Sequence, residues 1–255
     1  MIKTFIEAFK INSTYKTNSF LYKIRKLWIF RKLIPNDVYR LTDVKIILNI
    51  IIAIFSYLFE FVKKAIYFIF FFMLPISMMS SSNDSVSAFI WIFLFLNLFI
   101  GSFGKQIIMS PTLEKYYSVI LMHMDAKKYA ITDYIHHLLV TLISFLPSLF
   151  LFGYWNQVPL WTLAFLLLSL IGSRMISEAM FVMIYDKWKY VIANRSWYVL
   201  TIFGLGLIGA YSLSYFHVSF PPLFLLPLSI MIILIAIPSF LYLLHYQNIL
   251  FYIKD

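Results

Sequence analysis

Residues 46 to 79 read IILNIIIAIFSYLFEFVKKAIYFIFFFMLPISMM, and whether this stretch crosses a bilayer once or twice decides the fold. A hydrocarbon core about 30 Å thick takes roughly 20 helical residues to cross, at about 1.5 Å per residue. Glu60, Lys63 and Lys64 divide the stretch into two apolar runs. Lys45, Asn49, Ser56, Glu60, Lys63 or Lys64 and Tyr67 recur three or four residues apart along much of it, which sets them on one helix face. The pattern predicts an amphipathic helix from Asp43 to about Phe61 lying at the membrane interface. It runs into a first span from about Val62 to Met79, with Lys63 and Lys64 snorkelling to the headgroups.

Working outward, five further segments have the length and apolarity of spans: Ala88 to Gly104, Ile135 to Tyr154, Leu160 to Tyr185, Trp197 to Phe216 and Leu223 to Tyr246. Charge tests the count. Placing the N-terminus inside puts the 21 Lys and Arg residues on or toward one side, and the joins Ser80 to Ser87, Trp155 to Pro159 and His217 to Pro222 carry none. That is the positive-inside bias. A seventh span at Ile46 would carry the ten basic residues of positions 1 to 45 to the outside. The expected architecture is all-α and polytopic. Residues 1–61 form a cytoplasmic or interfacial amphipathic region, 62–246 a six-helix transmembrane domain with a cytoplasmic elbow at 105–134, and 247–255 a cytoplasmic tail.

Composition excludes most alternatives. With 62% hydrophobic and 13% charged residues, a water-soluble globule lacks the polar surface to cover itself. The net charge of +10 needs no nucleic acid, since basic loops facing anionic lipid explain it. There is no cysteine, so neither a disulfide nor a thiolate metal site exists. The basic N-terminal residues lack an uninterrupted apolar core and read as mature protein.

Catalytic residues are not visible. Gly101, Gly104 and Lys105 lack Walker A spacing, and Gln106 follows the lysine where Ser or Thr is required. His136 and His137 are adjacent and point to different sides of a helix, so no metal site is expected. Arg174 and Glu178 lie four apart in the fourth span, near its cytoplasmic end by this count. They read as an intramembrane ion pair or as a polar patch at an inner gate. In the fifth span Gly206, Ala210 and Ser214 form a small-residue face for close helix packing, within the subunit or between two. Pro75, Pro147, Pro227 and Pro238 free backbone carbonyls inside spans.

The stretch Lys105 to Asp133, KQIIMSPTLEKYYSVILMHMDAKKYAITD, carries the clearest local signals. Ser110 and Pro111 read as a cap and first-turn proline, with Glu114 at the positive end of the helix dipole. Leu113, Tyr116 or Tyr117, Ile120 or Leu121 and Met124 share a face. Asp125 reads as a second cap, starting a helix through Lys127 and Lys128 into the third span. Such an elbow is long for a connection and suits docking to a partner.

An interfacial N-terminal helix, six spans with both ends inside and a helical elbow after the second span resemble the membrane subunit of ABC-type exporters. The run SPTLEKYYSVILMHMDAKKYAITDYI is similar to the cytoplasmic segment of Firmicutes exporter permeases that expel amphipathic or antimicrobial peptides such as phenol-soluble modulins. The resemblance implies a cell-membrane assembly of two six-helix subunits, a second copy or a related chain, with two ABC ATPase chains. ATP and Mg would bind on the ATPases, with no cofactor in this chain, and the cargo would be a hydrophobic or amphipathic peptide toxin or antimicrobial peptide. Leu113, Glu114, Tyr117, Ile120, Leu121, Met124, Asp125, Lys127 and Lys128 would then contact the ATPase. The alternative readings are an intramembrane enzyme using Arg174, Glu178, His136 or His137, or an insertase-like accessory protein.

Overall fold

The computed structural model describes Lys26 and residues 42–79, 85–110, 112–121, 123–189, 191–192 and 195–246. Within them, side chains are described except at 42–50, 52–53, 56, 113–114, 117 and 121. The sequence readings on residues 1–25, 27–41 and 247–255 lie outside the described residues, as does that on Pro111. Six helices are long and apolar enough to cross a membrane: Tyr57–Met78, Ser85–Phe103, Ala126–Trp155, Leu160–Trp188, Ser196–Tyr215 and Pro222–His245. No strand occurs among the described residues. The chain is an all-α, multi-pass membrane protein.

The first helix runs from Thr42 to Phe68 and continues through a π-helical turn, Ile69–Met73, into Leu74–Met79. No break in this ladder falls at Phe61 and Val62, where the sequence pattern placed the passage from interface to span. Pro75 accounts for the local irregularity, because its ring displaces the bond that the carbonyl four residues earlier would accept. That carbonyl, on Phe71, accepts instead from the Tyr211 hydroxyl of the fifth span at 3.2 Å. The third span starts at Ala126, nine residues before the expected Ile135, because Asp125 caps it: its side chain accepts from the Lys128 N–H at 3.0 Å. The fourth span likewise continues past Tyr185 to Trp188.

Much of the outer surface is apolar, with Leu200 at 72% and Leu234 at 65% exposure, as lipid contact requires. Inside, Phe68, Phe72, Phe89 and Phe93 interlock the first two spans, and Phe68 stacks on Phe152 of the third with ring centroids 5.6 Å apart. Helices approach closely where glycine leaves room. Gly206 packs on Ile100 and Gly209 on Phe95, both in the second span, so the Gly206, Ala210, Ser214 side of the fifth span is an internal face. Gly172 of the fourth span meets Ile232 of the sixth in the same way. At the end without basic residues, the Trp91 indole N–H donates to the Val218 carbonyl (3.0 Å) and the Phe220 N–H to Ser87 Oγ (3.1 Å). These bonds fold the last loop over the second span.

Candidate functional site

The second span ends at Gly104, and the next six residues are not helical. Their backbone groups must find partners elsewhere. Two charged side chains supply them. Glu178, fully buried in the fourth span, accepts from the N–H groups of Ile107 (3.1 Å) and Ile108 (2.6 Å). Lys115 donates its ammonium to the carbonyls of Ile107, Ile108 (3.1 Å) and Ser110 (3.0 Å), and lies 3.9 Å from Asp133 of the third span. One carboxyl and one ammonium thus hold opposite polar edges of the same turn. Ile108 and Met109 are driven into an apolar pocket with Ala130, Tyr134, Ala179 and Val182, which anchors the turn between the third and fourth spans. The elbow is latched to the bundle.

Beyond the latch, a short helix covers Leu113–Tyr116 and continues as a π turn, Tyr117–Leu121. Its cap is Thr112, whose Oγ1 accepts from the Lys115 N–H at 3.2 Å. This corrects the expected cap at Ser110, whose hydroxyl is taken up by the Ile107 carbonyl at 3.0 Å. Of the expected contact residues, Ile120, Asp125 and Lys128 are exposed and Lys127 is half-buried. Met124 turns inward, against Val119, Ala126 and Tyr129. Leu113, Glu114, Tyr117 and Leu121 lie on this helix with side chains outside the described set. Tyr116, absent from the expected contact set, is 49% exposed one turn from Ile120. The Lys128 N–H holds the Asp125 carboxyl below the usual carboxylate range.

The expected Arg174–Glu178 ion pair does not form. Glu178 is engaged by the elbow backbone, while Arg174 Nη1 donates to Thr141 Oγ1 of the third span at 3.0 Å. Arg174 belongs to a different cluster, at a seam where the first four spans meet. Lys64 does not snorkel: its ammonium sits 4.2 Å from the centre of the Phe145 ring and 5.8 Å from that of Tyr67. Lys63 is the exposed one, bonded to Glu60 at 2.7 Å. The Tyr67 hydroxyl donates to Asn97 Oδ1 of the second span at 3.2 Å. Arg174 also lies beside Gly101, one turn along from Asn97. Counted from the ends without basic residues at about 1.5 Å per residue, Lys64, Asn97, Thr141 and Arg174 all lie roughly 20 Å deep. They share one level of the membrane, nearer the basic side of a roughly 30 Å core than the other.

His137 Nε2 lies 3.7 Å from Asp133 Oδ1, and its ring is inclined 72° to that of His136. Among the described residues no group of three or more His, Cys, Asp or Glu could hold a metal ion. Comparison with protein-family models, curated proteins and solved structures finds no match to this chain.

Sequence reasoning missed the latch and the seam. Lys64, Asn97 and Arg174 were each visible as costly polar groups inside apolar runs, which is the signal that could have joined them. Lys115 gave no such signal, because a lysine in a basic loop has an ordinary reading.

Proposed function

We propose that this chain is the membrane subunit of an ATP-driven exporter of the ABC type, with its basic end in the cytoplasm. It moves hydrophobic or amphipathic cargo, peptide toxins or antimicrobial peptides foremost, and works as a pair of six-helix subunits with two separate ATPase chains that bind ATP and Mg. The supporting observation is the latch. Glu178 and Lys115 bond the elbow to the third and fourth spans, so force applied to the elbow is delivered to helices that cross the membrane. The exposed Tyr116, Ile120, Asp125 and Lys128 offer an ATPase its contact.

The test is purification of the tagged full chain from its host in mild detergent, with identification of the co-purifying proteins. An ATPase in stoichiometric amount, whose hydrolysis rate falls severalfold with Asp125→Lys or Ile120→Asp at unchanged chain yield, is the expected result. Recovery of the folded chain without an ATPase would overturn this reading and turn attention to an insertase or intramembrane enzyme.

A further inference from the structure

At the level of the seam between the first four spans stand two cations and, among the described residues, no carboxylate; Glu60 lies one turn from Lys64 toward the basic end. Among the described residues, the nearest acidic groups on the same helices are already engaged: Glu60 by Lys63, and Glu178 by the elbow backbone. Lys64 and Arg174 meet the third span one turn apart, at Phe145 and Thr141. Two donors at the seam have no partner. Asn97 is 4% exposed and its carboxamide oxygen holds the Tyr67 hydroxyl, yet its Nδ2 is buried without an acceptor. Arg174 Nε is buried without one as well. Two cations and two unsatisfied donors inside a bilayer are costly, and the remedy is an acceptor that carries negative charge.

The surroundings say how that acceptor arrives. Lys64, Thr141 and Arg174 are only half-buried, so the seam is not sealed. On the Lys64 face of the first span, Phe71 is 42% exposed apolar surface with its ring 5.3 Å from that of Tyr67, so the seam borders lipid-facing surface. An inorganic anion has no wet route across such a surface, whereas a lipid brings its charge on an apolar chain. Counted inward, the seam is about 10 Å from the basic interface of a 30 Å core. Arginine and lysine in this position draw headgroups inward by thinning the bilayer locally.

We propose that Lys64 and Arg174, with Asn97, form an intramembrane binding site for the oxyanion of an anionic lipid entering from the basic leaflet. The oxyanion accepts from Arg174 Nε, Asn97 Nδ2 and the Lys64 ammonium and offsets one of the two positive charges. This site stands apart from the exporter reading, since it needs no ATPase.

The test uses the full purified chain, delipidated in neutral detergent and titrated with phosphatidylglycerol, oleate or phosphatidylcholine, with bound lipid counted by native mass spectrometry. Phosphatidylglycerol is expected to fill one tight site. Lys64→Gln and Arg174→Gln should each weaken it about tenfold or more, the scale of one charge-assisted hydrogen bond. Arg174→Lys, which keeps the charge and loses the Nε donor, should weaken it less than Arg174→Gln, and the elbow variant Lys127→Gln/Lys128→Gln should retain it. Oleate matching phosphatidylglycerol assigns any oxyanion on an acyl chain, and its failure assigns the phosphate. Equal retention of phosphatidylcholine, or binding indifferent to Lys64→Gln, overturns the proposal. So does displacement of the lipid by an amphipathic peptide bearing a C-terminal carboxylate but not by its amide, which would make the occupant a peptide. If Arg174→Gln does not fold, Lys64→Gln at the open side of the seam decides alone.

Discussion

Glu178 shows how a single residue can be read correctly in kind and wrongly in partner. A carboxylate inside an apolar helix must be compensated, and Arg174 one turn away was the near candidate. The actual partners are two backbone N–H groups some 70 positions distant in the chain. Pattern reading sees spacings of three and four; it has no access to a contact made by the fold. Asp125 is the opposite case, since a cap and its N–H lie three residues apart and both are written locally. Glu178→Ala strips the acceptor from two buried N–H groups and should destabilise the elbow by about 1–3 kcal/mol. The measurement is hydrogen exchange at Ile107 and Ile108, expected to accelerate severalfold or more while amides in the middle of the third span stay protected. Unchanged exchange at both would mean that the latch is held by Lys115 and apolar packing alone.

Among elements, the fifth span separates what a small-residue pattern does and does not disclose. Gly206, Ala210 and Ser214 announced a close-packed face, but nothing in the pattern told whether the neighbour was internal or a second subunit. Ile100 and Phe95 of the second span occupy it. A Cβ at Gly206 would overlap the Ile100 side chain, whereas one at Gly204 meets nothing within 4 Å. Gly206→Ala should therefore lower stability by about 1–3 kcal/mol through overpacking. Gly204→Ala should leave stability unchanged or raise it by up to about 1 kcal/mol, because alanine is the better helix former. Thermal unfolding of the two purified variants in one detergent compares them directly, and equal melting temperatures would refute the internal packing of this face.

The whole molecule was the most legible level, because membrane thickness and charge asymmetry constrain it more tightly than any local contact. Six spans were readable from length and apolarity; the exact ends were not, since capping and helix overhang follow from polar bonds outside the core. Orientation is directly measurable because the chain contains no cysteine. With the basic end inside, Ser219→Cys should react with a membrane-impermeant maleimide on intact cells, and Lys187→Cys should react only after permeabilisation. The reverse pattern would invert the molecule. The depth of Lys64 and Arg174 has an electrical corollary. Charges fixed part-way across a bilayer lie within the transmembrane voltage drop, where a full crossing is worth about 2.3 kcal/mol per charge per 100 mV. If the first and fourth spans shifted together by one helical pitch, about 5.4 Å of a 30 Å core, the two charges would do about 0.8 kcal/mol of work per 100 mV. The resting potential of the cell thus becomes a bias on any sliding of these two helices.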